Sequence, residues 1–206
     1  MEKIISIAII NIKHQSALSI LVAAVILVIT PILFGTAYLN SIETAVPLEM
    51  FVSLIGIVLL PPVFQPEQDD TIRDLVSSKY ISTNWVYCIR TVYATILIII
   101  FIGLFAGYLC LRQCNVTAWL FLGTIANALF LGALGIITAA LTNNTIIAYM
   151  IPLVYYGLNY GAGKKLGNYF LFSMQIPNFT PKLWLGITGG LLICCALIIK
   201  TIEKKL

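Results

Sequence analysis

Three aspartates in one short polar run, Asp69-Asp70-x-x-x-Asp74, are the residues best suited by type and spacing to do chemistry, because clustered carboxylates hold a hard cation such as magnesium. A site of that kind acting on a diphosphate needs a second acidic cluster facing the first. The other acids that the layout below places on the same side are Glu2, Glu67 and Glu203, which form none. Gly161-Ala162-Gly163-Lys164-Lys165 has the residue types of a phosphate loop, but it lacks the G-x-x-x-x-G-K-[ST] spacing and follows an apolar run instead of a strand. The chain is therefore expected to carry no ATP site of its own. His14 is the only histidine, which excludes a histidine-rich metal site or a Ser-His-Asp triad within the chain. Cys88, Cys110, Cys114, Cys194 and Cys195 show no metal spacing and sit mostly in apolar runs, where cysteine behaves as a small apolar residue. No catalytic residue and no bound metal or cofactor is expected.

The elements that must position these residues are membrane spans. The chain is 60% hydrophobic and 10% charged, with mean hydropathy +1.01, whereas soluble domains are about 25% charged. The expected fold class is all-α, a polytopic membrane protein forming a single membrane domain over 1–206, with no room for a separate ATPase or catalytic domain of about 100 residues or more. Counting residues between charges places spans near 17–35, 48–64, 91–111, 116–141, 145–160 and 183–199. The charge-free stretch from Gln113 to Gly163 is too long for one crossing of about 30 Å and must fold back, with Thr142-Asn143-Asn144 as the turn. Residues 1–16 mix isoleucines with Glu2, Lys3, Lys13 and His14 and read as an interfacial elbow helix.

Six spans put both termini on one side. Assigning Lys3, Lys13, Arg73, Lys79, Arg90, Lys200, Lys204 and Lys205 to the cytoplasm, against Arg112, Lys164, Lys165 and Lys182 outside, follows the positive-inside rule. The expected location is the cell membrane, with both termini cytoplasmic. The basic residues show no aromatic-interleaved patch, so no nucleic-acid partner is expected.

The polar run from Pro66 to Tyr80 is the one sizeable aqueous element, and it joins the second and third spans on the cytoplasmic side. Asp70 or Thr71 can cap a short helix near 70–79, with Asp74 three residues after Thr71. Ile72, Leu75 and Val76 then share one face, apolar knobs suited to the groove of another protein or to lipid. The interfacial N-terminal helix, six spans, one cytoplasmic helix after the second span and the run PEQDDTIRDLVSSKYISTNWVYCIR together resemble the permease subunits of type-2 ATP-binding-cassette exporters. The resemblance covers nearly the whole chain in layout and Pro66 to Arg90 in local sequence. It implies that the short helix is a coupling helix docking on separate ATPase subunits through Glu67, Asp69, Asp70, Thr71, Ile72, Arg73, Asp74 and Leu75. Asn143 and Asn144 would form a second, minor contact. It also implies a second permease, identical or related, with ATP and magnesium held by the partner ATPase. The Gly- and aromatic-rich loop 161–181, with Tyr169, Phe170, Phe172 and Phe179, would then hold re-entrant helices.

Within the spans, Tyr149, Tyr156 and Tyr160 share one helical face, a stripe that lines either a substrate path or a helix contact. Thr124 and Asn127 pair at i, i+3 in the fourth span. Gly132 and Gly135 with Ala139 and Ala140 permit close packing within the fold. Glu43 and Glu49 fall on the outer side and read as a wet edge. The expected function is the permease subunit of an ATP-driven exporter. The alternatives are the substrate-capturing membrane component of an energy-coupling vitamin importer and a magnesium-dependent membrane prenyltransferase using the three aspartates. Cargo is not legible, because selectivity would come from cavity shape across two protomers.

Overall fold

The computed structural model describes residues 17–68, 83–176 and 179–203. Among these, α1 is Ala17–Phe34, α2 Ser41–Met50, α3 Ile55–Leu59, α4 Thr83–Leu111, α5 Ala118–Thr142, α6 Thr145–Ala162 and α7 Thr180–Glu203. Short 3-10 stretches occupy Val52–Leu54, Pro61–Gln68, Gly163–Tyr169 and Ser173–Gln175, and the described residues contain no strand. The interfacial helix expected over 1–16 and the coupling helix expected near 70–79 lie outside the described residues. So do Asp69, Asp70, Thr71, Ile72, Arg73, Asp74 and Leu75, while the backbone of Glu67 falls in the stretch Pro61–Gln68.

Five stretches are long and apolar enough to cross a membrane: Ala17–Phe34, Ser41–Gln65, Trp85–Leu111, Ala118–Thr142 and Thr180–Ile202. They are compatible with a multi-pass membrane protein. α6 is an 18-residue helix carrying four tyrosines, Asn159 and Pro152, and is not among the five. Hydroxyls inside these helices find partners on their own backbone. Thr30, Thr91, Thr124, Thr138, Thr188 and Thr201 each donate to the carbonyl four residues back. Such a bond satisfies a polar group where no water can.

Burial separates interior from periphery. The apolar window of Ser41–Gln65 is 72% buried and that of Ala118–Thr142 61%, against 17% for Ala17–Phe34. The second crossing and α5 therefore form the interior. The second crossing is not the continuous helix expected over 48–64: it begins at Ser41, breaks after Met50 and resumes at Ile55 as α3. Pro61-Pro62 opens a further 3-10 stretch instead of ending the element. α3 and the stretch after it cross α5 closely. A Cβ on Gly56 would lie 1.8 Å from the Ala128 carbonyl oxygen, and one on Gly132 would lie 2.7 Å from the Gly56 oxygen. Gly135 likewise admits Pro61, whose Cγ would be 2.6 Å from an added Cβ. The glycines of α5 thus do serve packing within the fold. α4, the expected third span, starts at Thr83, before the charge that was expected to bound it. Arg90 sits within it and donates from Nη1 to the Val63 carbonyl at 3.4 Å.

The bundle has two distinguishable ends. At one, Tyr38 N–H donates to the Arg112 carbonyl (3.2 Å) and Asn115 N–H to that of Leu39 (3.1 Å), tying the loop after α1 to the loop after α4. At the other, Pro61 packs beside Gly135 and Ala148, and Lys200 near the end of α7 donates to Asn143 Oδ1 in the turn between α5 and α6.

Candidate functional site

The described polar side chains converge at the end of the bundle where α2, α5, α6 and the start of α7 meet the segment Gly163–Gln175, here called the strap. Glu49 closes the last turn of α2 and Lys182 opens α7; both are buried, and Lys182 Nζ lies 2.7 Å from Glu49 Oε1. The ammonium also donates to Asn127 Oδ1 on α5 (2.9 Å) and to the Leu171 carbonyl of the strap. Its three protons are thus taken by acceptors from three elements. Gly123 leaves the room this needs, since a Cβ there would meet Met174 Sδ at 2.4 Å and Lys182 Cγ at 3.4 Å.

The strap is held by the same groups. Met174 N–H donates to Glu49 Oε1 (2.8 Å), Asn127 Nδ2 to the Leu171 carbonyl (2.9 Å), and Leu171 N–H to Asn159 Oδ1 on α6 (2.9 Å). Asn159 Nδ2 in turn donates to the Tyr155 carbonyl (2.9 Å), and the Tyr155 hydroxyl to the Tyr169 carbonyl (2.6 Å). Irregular backbone carries orphan N–H and C=O groups that apolar surroundings cannot satisfy, so side chains from α2, α5 and α6 supply the missing partners. Removing one member of a buried ion pair costs about 3–5 kcal/mol, because the other charge is left uncompensated.

No family model, curated protein or solved structure matches this chain. The chemistry at this end is that of a neutral, mostly satisfied pin. Among the described residues no group of three or more His, Cys, Asp or Glu could hold a metal ion. Three buried polar atoms here lack a hydrogen-bond partner: Glu49 Oε2, Ser173 Oγ and Gln175 Nε2. The Gln175 amide lies close to the Glu49 carboxylate without closing a well-formed hydrogen bond.

Of the tyrosine stripe, the structure brings Tyr156 and Tyr160 together, with hydroxyls 3.3 Å apart, and Tyr156 donates to the Met50 carbonyl at 2.5 Å. Phe172 of the strap packs against both, its ring centroid 5.6 Å from Tyr156 and 4.9 Å from Tyr160, while Tyr160 remains exposed. Tyr149 lies two turns earlier on α6, half-buried. Asn143 and Asn144 sit exposed at the opposite end of the bundle and make the turn between α5 and α6. Asn143 adopts φ +51°, a left-handed conformation that asparagine tolerates. Asn144 Oδ1 caps α6 by accepting from the N–H groups of Ile146 (2.9 Å) and Ile147 (3.4 Å).

Glu49 corrects the expectation of a wet edge: it is wholly buried, because Lys182 neutralises it, whereas Glu43 is exposed and accepts from Asn40 N–H at 3.0 Å. Thr124 and Asn127 part company, the first bonded within its own helix and the second in the network. Lys182 and Asn159 carry the site without having been singled out. The usable signal was complementarity, an acid and a base at the ends of two apolar runs assigned to the same side.

Proposed function

We propose that this chain is the permease subunit of an ATP-driven exporter. It spans the membrane six times with both termini cytoplasmic, pairs with an identical or related permease, and is driven by separate ATPase subunits that hold ATP and magnesium. The carrying observation is where the polar segment leaves the bundle. Its leading flank, Pro61–Gln68, packs on α5 and α6, with Pro61 beside Gly135 and Ala148. Its trailing flank, the first turns of α4, reaches back through Arg90 to Val63. Both flanks therefore sit at the end of the bundle that also presents the Asn143-Asn144 turn and Lys200. A soluble partner on that face would meet the polar segment and the turn together, as docking through Ile72 and Leu75 with a minor contact at Asn143 and Asn144 requires. α6 supplies the sixth crossing, its tyrosines and Asn159 turned to the network and the strap. ATP binding would draw the ATPases together, and the polar segment would pass that movement to the second crossing, whose far end carries Glu49.

The test is affinity purification of the chain from its native membrane in mild detergent. A soluble ATPase is expected to co-purify in stoichiometric amount and to be lost on Ile72→Asp with Leu75→Asp, while the chain still inserts. A chain that purifies alone, or an ATPase indifferent to both substitutions, overturns the reading.

A further inference from the structure

We propose that Arg112 and Tyr108, at the end of α4, form a receptor for the phosphate of a membrane phospholipid. Arg112 directly follows the span Trp85–Leu111 and is exposed. Its Nε donates to the Tyr108 hydroxyl at 3.2 Å, and its Cζ stands 5.6 Å from the centre of the same ring. Thr36, buried in the loop after α1, donates to that hydroxyl as well, at 3.4 Å. The phenol oxygen thus accepts twice, and among the described residues its own proton meets no acceptor. Both Nη groups of the guanidinium also remain, and no acid among the described residues pairs with Arg112. Glu43, the acid at the start of α2, accepts from Asn40 N–H instead. A cluster that offers donors and holds no anion of its own is complementary to an added one, and a planar guanidinium fork matches two oxygens of a phosphate.

The fork is held from behind. Arg112 N–H donates to the carbonyls of Tyr108 and Leu109, each at 3.1 Å, and the Arg112 carbonyl accepts from Tyr38 N–H at 3.2 Å. Ordering a guanidinium before it binds lowers the entropy lost on binding. Its position selects the source of the phosphate. A residue that directly follows a membrane span lies where hydrocarbon gives way to headgroups. On the span below it, Leu104, Gly107 and Leu111 fall on one helical face at i, i+3 and i+7. The two leucines are 63% and 85% exposed, and a Cβ on Gly107 would meet nothing within 4 Å. The glycine leaves a shallow gap between the leucines in which an alkyl chain can lie while its headgroup reaches the fork. A free phosphate ion gains nothing from that face. The site goes beyond the exporter reading and needs only that α4 cross a membrane, so the two ideas fail separately.

The experiment is native mass spectrometry of the full chain, purified in detergent and titrated with dioleoylphosphatidylglycerol. Dioleoylglycerol, with the same chains and no phosphate, is the control ligand. The phospholipid is expected to stay bound under activation that strips dioleoylglycerol. Arg112→Gln is expected to lower the bound fraction by about threefold or more. Tyr108→Phe keeps the charge and removes the phenol, and is expected to lower it by about twofold or more. Lys165→Gln removes another exposed cation and is expected to leave it unchanged. Inorganic phosphate in large excess over the lipid is expected not to compete. Equal retention of dioleoylglycerol, or a bound fraction unmoved by Arg112→Gln, overturns the proposal. So does an equal loss with Lys165→Gln, which makes the effect one of general charge, or a loss with Arg112→Gln that Tyr108→Phe does not share, which removes the fork. Displacement by inorganic phosphate overturns the assignment to lipid, since the site then takes the free ion.

Discussion

Gly56→Ala tests the closest approach in the bundle. The added Cβ would stand 1.8 Å from the Ala128 carbonyl oxygen, where ordinary contact begins near 3.4 Å. The obstructing atom is backbone and cannot rotate away, so α3 and α5 must part by about 1.6 Å along that line, a gap that forfeits most of the dispersion attraction across it. Forcing one methyl into a packed interior costs about 1–3 kcal/mol. The second consequence is loosening of Leu60, which packs on Gly132 and would leave its seat with the helix. A total of roughly 3 kcal/mol or more corresponds to a Tm lowered by about 6–12 °C for a chain of this size. The assay is thermal unfolding of the detergent-purified chain followed by tryptophan fluorescence. Gly103→Ala is the matched control, because nothing lies within 4 Å of its added Cβ, and it is expected to melt within about 2 °C of the parent. Indistinguishable melting of the two variants would refute the inference that α3 and α5 cross backbone to backbone.

Asn127→Leu keeps the side-chain volume but strips Lys182 of one acceptor and the Leu171 carbonyl of one donor, so it should cost about 1–3 kcal/mol. Thr124→Val, one turn away, loses only a hydroxyl bonded to its own helix and should cost less than about 1 kcal/mol. Equal melting temperatures for these two would remove the network from the stability of the bundle. Asn144→Ala should cost about 1 kcal/mol by uncapping α6, with Asn144→Asp restoring it. If alanine and aspartate behave alike, the turn is held by something other than its cap.

The positions of most helices were legible because hydrophobic length is set by the thickness to be crossed, and the Thr142-Asn143-Asn144 turn announces itself as the polar break in a run too long for one crossing. The irregularities were not. Counting spans between charges assumes that a charge stays at the membrane edge, which fails when a partner waits elsewhere in the chain. Glu49 is buried by Lys182, and Arg90 enters α4 by reaching the Val63 carbonyl. The break after Met50 was not read from the span count, although Pro47 sits one turn before it, and the close approach of Gly56 to Ala128 depends on another helix. The tyrosine stripe was visible by spacing, but its contact with Phe172 was not. Phe172 meets Tyr156 and Tyr160 only because Leu171 beside it is fastened to Asn127, Asn159 and Lys182.

The buried pair also sets a condition on how the chain is made. Glu49 leaves the ribosome long before Lys182, by roughly 7 to 27 s at about 5 to 20 residues per second. Throughout that interval α2 has its carboxylate and none of the cation that neutralises it. Nascent chains halted before position 182 are therefore expected to leave Glu49 more open to water than the full chain does.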